Sequence, residues 1–262
     1  MRPILAIAST TVGEAIRRKV LLIILLIGLV FLFVAPGLSV LSSRSETTVL
    51  KGFMLFTVQL TGVVIAIVLT VYMIPNEVER RTIYTILSKP VQRWQFLIGK
   101  YLGAIAALGL MMGLMSLVLV GVFTIQQGFD VGNIGDLLKG PMMYFVQTSL
   151  LAAFAIFVST FAPPLVNFFL SGGVFLLGTI FNPFFTSIQE NPSTPVAAKF
   201  FATIVNAILP NFSNYNVQNP IINAGQTIGN EKIFYIQTIG YGVAYIIGLL
   251  IAGIVVFDRR EV

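Results

Sequence analysis

Six long apolar segments alternate with short polar segments along the chain. A membrane-spanning helix needs about 20 predominantly apolar residues, because its backbone must satisfy its own hydrogen bonds in hydrocarbon. The first segment is too long for a typical signal-peptide core and has no convincing small-residue cleavage site. The pattern predicts an all-α integral membrane protein of one domain over residues 1–262, with spans at about 20–41, 53–74, 97–124, 141–161, 165–187 and 233–257.

An amphipathic segment precedes the first span. Ile4, Leu5, Ala8, Ala15 and Ile16 recur at helical spacing, and polar residues occupy the positions between them. This pattern is typical of a helix that lies in the membrane interface and turns into the first span. The alternative is an N-terminal extension of that span.

A second amphipathic segment precedes the last span, at about residues 195–209. Phe200, Phe201 and Ile204 share one face, and Pro210 ends the helical pattern. The segment is too short and too polar on its other face for a seventh span. We therefore predict an external interfacial or re-entrant helix.

The composition and the distribution of charge agree with this interpretation. Only 10% of the residues are charged, against about 25% in a soluble domain. If the N-terminus is cytoplasmic, the cytoplasmic segments hold most of the basic residues, as expected for a plasma or inner membrane protein, here of a prokaryotic cell. The net charge of +6 therefore reflects topology and does not indicate a nucleic-acid partner. The basic residues on that side are Arg2, Arg17, Arg18, Lys19, Arg80, Arg81, Lys89, Arg93, Lys100, Arg259 and Arg260.

Several kinds of chemistry are missing from the sequence. It has no Cys and no His, and it contains no GxxxxGK[ST] phosphate-binding loop. None of the predicted spans has an ionisable residue near its middle, where such a group usually marks ion coupling. Lys100 lies near a span end, where we expect it to extend towards the headgroups. The sequence thus disfavours a membrane enzyme, an ion-coupled carrier and a metal site, and any energy for active transport must come from another chain.

One charged loop of substance lies on the predicted cytoplasmic side, between the second and third spans. A short helix is predicted at about residues 76–89, ended by Pro90. Glu77, Arg81 and Ser88 share one face of this helix, and Ile83 and Ile86 share another. Such a helix can dock on another protein, or it can be an ordinary solvated connection.

The same loop carries a resemblance to a known family. Residues 79–83 read ERRTI, residues 87–93 read LSKPVQR, and residues 96–103 read FLIGKYLG. This run resembles the coupling region of ABC transporter permeases of the type-2 exporter family, above all the branch related to the nitrous-oxide-reductase maturation permease. Residues 14–19, 209–212 and 257–260 are similar to that family more loosely.

The resemblance implies a specific architecture and specific partners. Such permeases have six spans, a cytoplasmic coupling helix and external re-entrant helices. They pair with a second copy or a homologous permease, and they dock on two ATP-binding subunits that hold the ATP and Mg²⁺, so this chain binds no cofactor itself. The resemblance places seven residues at or beside the ATPase: Glu79, Arg80, Thr82, Ser88, Lys89, Pro90 and Arg93.

Polar residues within the spans are the candidates for a substrate pathway. We name Gln59, Gln147 and Asn167, with Thr61, Thr148 and Gln237 as further members of the set. The alternative for each is a hydrogen bond between helices, worth about 0.6 kcal/mol on average. The sequence thus predicts the permease subunit of an ATP-driven ABC exporter; the alternative is a membrane structural or assembly anchor without transport activity.

Overall fold

The computed structural model describes residues 2–40, 46–79, 92–191, 193–218, 221 and 230–259. Throughout this described part the regular structure is helical, without strands. Six of its helices are long and apolar enough to cross a membrane. The prediction of an all-α membrane protein with six spans is therefore confirmed.

The helices follow one another along the chain with short connections. The first five are α1 (Arg2–Arg17), α2 (Lys19–Val40), α3 (Glu46–Val71), α4 (Pro75–Glu79) and α5 (Arg93–Gln127). The next four are α6 (Val131–Ser159), α7 (Pro164–Glu190), α8 (Val196–Ile208) and α9 (Glu231–Arg259), with a 3₁₀ turn at Ser213–Tyr215. Helices α2, α3, α5, α6, α7 and α9 are the six spans.

Helices α3 and α6 form the centre of the bundle. In their most apolar stretches 78% and 72% of the residues are buried, whereas only 11% are buried in the corresponding stretch of α9. Helix α3 packs on α2, α5 and α6, and α6 packs on α5, α7 and α9. Because lipid is as apolar as the core, the peripheral helices can expose Leu, Ile and Phe without cost.

The amphipathic helix α1 lies along the first turns of α5. Two glycines of α5, one helical turn apart, make this approach possible. A Cβ atom at Gly99 would lie 3.1 Å from the carbonyl oxygen of Ile4, and one at Gly103 would lie 2.7 Å from that of Ala8. This is the small-xxx-small spacing that brings two membrane helices close together. Helix α1 is therefore fixed to a span along one face.

Both chain ends lie at one end of the bundle, which we call the predicted cytoplasmic end. The N-terminal halves of α1 and α5 meet there, and Arg93 at the start of α5 contacts the last turn of α9. The opposite, predicted outer end carries the start of α9, which is joined to α6 by the Lys139–Glu231 ion pair at 2.9 Å. Helix α8 lies between the fifth and sixth spans in the chain, within the range where the sequence predicts an external helix.

Candidate functional site

The predicted coupling segment lies only partly within the described residues. Helix α4 contains its start, and the backbone of Glu79 is the last residue of that helix. The side chain of Glu79 falls outside the described residues, as do the whole of Arg80, Thr82, Ser88, Lys89 and Pro90. Arg93 is described. The described residues therefore show how the two ends of this segment are anchored.

The first anchor is a buried lysine at the predicted cytoplasmic end. The ammonium of Lys100, on α5, lies 2.7 Å from Oε1 of Glu77 on α4 and 3.6 Å from Oε2 of Glu14 on α1. The Lys100 side chain is 4% exposed, Glu77 is 16% exposed, and Glu14 is 54% exposed. The same ammonium lies 5.8 Å from the centre of the Phe96 ring. One charge thus joins three helices.

The expectation that Lys100 extends towards the headgroups is wrong. Its ammonium turns into the protein, because the carboxylate of Glu77 comes within hydrogen-bond distance when the chain folds back after α3. A buried charge is tolerated when it is paired and hydrogen-bonded. The sequence contains both residues, but 23 positions separate them, so no local pattern links them.

The second anchor is Arg93, at the point where the chain re-enters the bundle. Its guanidinium donates hydrogen bonds to the carbonyl oxygens of Phe257, at 3.0 Å, and Asp258, at 3.1 Å. The last four carbonyls of a helix have no partner within the helix, and a cation near them is favourable. Phe257 also stacks on Phe96 with ring centres 6.2 Å apart. Arg93 therefore fastens the start of α5 to the end of α9, and its predicted contact with an ATPase stays a prediction.

The two anchors lie on either side of residues 80–91. Before that segment, Glu77 is tied to α5 and α1; after it, Arg93 is tied to α9. A force on the segment would reach three helices of the bundle through polar contacts of about 3 Å. The arrangement is suited to passing on a movement, since neither anchor offers a nucleophile or a general base for catalysis.

A second polar arrangement connects the bundle centre with the loop before α9. Nε2 of Gln59, on α3, donates to Oε1 of Gln147, on α6, at 3.1 Å. Nε2 of Gln147 donates in turn to the carbonyl oxygen of Phe212, at 2.9 Å. Gln147 and Phe212 are fully buried, and Gln59 is nearly so. We call this chain of three residues the glutamine relay.

The relay ends on a segment that enters the bundle, residues 209–217. Its backbone is held by α7, where the carbonyl oxygen of Gly178 accepts from the Phe212 amide at 3.2 Å. Asn182 donates to the carbonyl oxygen of Pro210 at 3.3 Å. A Cβ atom at Gly178 would lie 2.5 Å from that same oxygen, so only glycine permits this approach. The segment is thus a built part of the bundle, and we call it the inserted loop.

Helix α9 holds the inserted loop from the other side. The Tyr241 hydroxyl accepts from the Asn211 amide at 3.0 Å, and the Tyr215 hydroxyl donates to the carbonyl oxygen of Thr238 at 3.2 Å. Burial raises the pKa of the Tyr215 phenol, so this hydroxyl stays protonated and remains a donor. The loop is therefore hydrogen-bonded to α6, α7 and α9 at once.

The three predicted pathway residues are all hydrogen-bonded within the chain. Gln59 and Gln147 form the relay, and Asn167 donates to the carbonyl oxygen of Ala155 at 2.8 Å while it accepts from the Ser171 hydroxyl at 2.9 Å. Each of the three side chains is buried. The structure brings Gln59 and Gln147 together and places Asn167 apart from them, between α6 and α7. Their role in a pathway stays a prediction.

Sequence reasoning missed three contributors to these arrangements: Lys100 as an anchor, Gly99 and Gly103 as the seat of α1, and Phe212 as the end of the relay. The GxxxG spacing in residues 99–103 was a readable signal. The burial of residues 209–212 had no signal beyond the family resemblance. Among the described residues, no group of three or more Asp and Glu could hold a metal ion.

Comparison with known proteins gives one clear result. A family model described as "ABC-2 family transporter protein" matches residues 5–262. No curated protein matches the chain. The matched region contains all six spans, both anchors, the glutamine relay and the inserted loop. The chain therefore belongs to the ABC-2 family: it is a multi-pass permease, a transmembrane subunit of an ABC transporter, and its partner is an ABC ATP-binding subunit.

Proposed function

We propose that the chain is the pathway-forming subunit of an ATP-driven exporter. The observation that carries this proposal is the family match over residues 5–262. The lack of a phosphate-binding loop supports it, because the energy must then come from the ATP-binding partner. The ATP and Mg²⁺ would be held by that partner, in two copies per transporter. The similarity to the nitrous-oxide-reductase maturation branch belongs to the same proposal.

In this proposal the segment at residues 80–91 receives the movement of the ATPase. When the two ATP-binding subunits close, they press on the segment and its predicted contact residues. The movement passes to α5 and α1 through Lys100 and to α9 through Arg93. The support is geometric, since both anchors are polar contacts of 2.7–3.1 Å next to the segment.

The glutamine relay provides a route to the other end of the bundle. Helix α3 leads directly into α4, so a displacement of the coupling segment also pulls on α3. Gln59 on α3 is bonded through Gln147 to the backbone of the inserted loop. We propose that this loop closes the outer end of the pathway and is released when α3 shifts.

A pair of membrane subunits would enclose the pathway. The apolar stretch of α7 is only 17% buried, and that of α2 only 28%. In this proposal a second copy or a homologous permease covers these faces. The termini would be cytoplasmic, in the plasma or inner membrane of a prokaryotic cell, as the distribution of Lys and Arg predicts.

The competing proposal is a membrane anchor for assembly, without transport. The buried anchors on either side of residues 80–91 favour the permease, since an anchor protein needs no rigid link between a surface loop and three helices. The two proposals differ in the behaviour of the ATPase. Only the permease requires that its contact with the ATP-binding subunit changes the rate of ATP hydrolysis.

Reversing the charge at Glu79 is expected to release the ATP-binding subunit. Glu79 closes α4 and begins the predicted docking surface, and a misplaced charge at an interface costs several kcal/mol. We expect Glu79→Lys to lower co-purification of the ATPase at least 10-fold while the permease still inserts. The matched control is Glu46→Lys, at the start of α3 on the predicted outer side, which should leave the complex intact. Equal loss with both variants would contradict the proposal.

Cysteine labelling is expected to place the coupling segment inside the cell. The chain has no cysteine, so a single Thr85→Cys gives an unambiguous signal. A thiol reagent that cannot cross the membrane should label it only after cells are opened. Ser193→Cys, in the exposed turn before α8, should be labelled in intact cells. Labelling of position 85 in intact cells would rule out the coupling role and the predicted topology together.

A further inference from the structure

A groove that the transport proposal does not use runs between α5, α6 and α9. Its volume is about 690 Å³, which falls within the range of roughly 300–1,000 Å³ that is typical of ligand sites. Gly113 and Met142 on its walls are exposed at the protein surface, so the groove opens sideways, towards lipid. It lies apart from the coupling anchors and from the inserted loop.

The floor of the groove fits a flexible hydrocarbon chain. Three methionines line it, and the thioether side chain adapts to irregular apolar shapes. Gly109 and Gly113 provide the room, since a Cβ atom at Gly113 would meet open space. The methionines are Met112, Met142 and Met143, and Phe145, Val146 and Ile239 complete the apolar wall.

The mouth of the groove carries a small cluster of charges. The ammonium of Lys139 lies 2.8 Å from Oδ1 of Asp136 and 2.9 Å from Oε2 of Glu231. The two carboxylates thus share one ammonium, and the three groups together leave one surplus negative charge. An ammonium group from a ligand would balance this surplus, and a ligand phosphate could reach Lys139 between the carboxylates.

The depth of these features matches one leaflet of a bilayer. A hydrocarbon core of about 30 Å takes about 20 helical residues. Counted back along α6 from its end at Ser159, that length reaches the neighbourhood of Lys139. The charges therefore lie at headgroup depth on the predicted outer side, and the methionines lie at the depth of the acyl chains.

We propose that this groove is a binding site for a phospholipid whose headgroup ends in a primary ammonium, the phosphoethanolamine class. One acyl chain occupies the apolar floor. The ammonium donates hydrogen bonds to Asp136 and Glu231, and the phosphate lies beside Lys139. Because the site lies on α5, α6 and α9, the bound lipid bridges helices that otherwise meet along only part of their length.

The test compares lipids that differ only in their headgroups. The purified protein in detergent is titrated with pyrene-labelled phosphatidylethanolamine, phosphatidylcholine or phosphatidylglycerol of equal chain length, and energy transfer from Trp94 or native mass spectrometry reports binding. We expect the ethanolamine lipid to bind at least fivefold more tightly than the other two. Choline lacks N–H donors, and glycerol lacks the positive charge.

Two variants separate the floor from the mouth. Gly113→Leu fills the groove and should weaken all three lipids at least fivefold, whereas Gly121→Leu, on the same helix in open space outside the groove, should not. Asp136→Asn with Glu231→Gln should abolish the preference for ethanolamine while it leaves chain binding intact. Equal binding of the three lipids by the unmodified protein, or no difference between the two glycine variants, would overturn the proposal.

Discussion

Replacing Glu77 with leucine is expected to destabilise the permease strongly. The change leaves the Lys100 ammonium, which is 4% exposed, with only the more distant Glu14 carboxylate at 3.6 Å. Breaking a buried ion pair by removing one partner costs about 3–5 kcal/mol. We expect a loss of this size in the free energy of unfolding, measured by SDS titration in mixed micelles.

The chain offers a matched control for this substitution. Glu14 contacts the same ammonium, but its side chain is 54% exposed and its distance is 0.9 Å longer than the 2.7 Å of Glu77. An exposed ion pair contributes about 0–1 kcal/mol. Glu14→Leu should therefore cost no more than about 1 kcal/mol. Equal losses for Glu14→Leu and Glu77→Leu would show that the buried pair is not the anchor.

A double variant separates stability from the transmission of movement. Lys100→Met together with Glu77→Leu replaces the pair by apolar side chains of similar size, which is often neutral for stability. We expect stability to recover to within about 1 kcal/mol of the unmodified protein. The coupled ATPase rate of the complex with its ATP-binding subunit should remain low, because the polar link between α4 and α5 is gone. Recovery of both properties would reduce the anchor to a packing contact.

The six spans could be predicted because the bilayer imposes a simple rule. About 20 apolar residues in a row have few alternatives to a membrane helix, and the helices of the structure follow the apolar segments. The observed spans extend beyond the apolar core in several cases. Helix α5 begins at Arg93 and α6 at Val131, because polar residues at the ends of a span continue the helix into the headgroup region.

The contacts within the site could not be predicted in the same way. Hydropathy identifies which residues lie in the membrane, but it does not identify which helix each one faces. Gln59 and Gln147 are 88 positions apart, and Arg93 is 164 positions from Phe257. The sequence places Lys100 at the interface because a lone lysine at a span end usually extends outward. Only the path of the chain around α4 brings Glu77 to it.

Replacing Gln147 with leucine is expected to loosen the inserted loop. The change removes both hydrogen bonds of the relay and leaves the Phe212 carbonyl and the Gln59 amide buried without Gln147. A buried polar group that loses its partner costs about 1–3 kcal/mol. If the inserted loop bears about 2 kcal/mol of this cost, amide hydrogen exchange across residues 209–216 should become about 30-fold faster.

The order of effects among three glutamines distinguishes the relay from a general effect of polarity. Gln59→Leu keeps the bond from Gln147 to Phe212, so it should accelerate exchange in the inserted loop by less than tenfold. Gln237→Leu, on an exposed position of α9, should have no effect on exchange there. The double variant of Gln59 and Gln147 should resemble Gln147→Leu alone, because the two side chains act in series. If Gln147→Leu leaves exchange unchanged, α7 and α9 alone hold the loop, and a displacement of α3 has no route through the relay to the outer end.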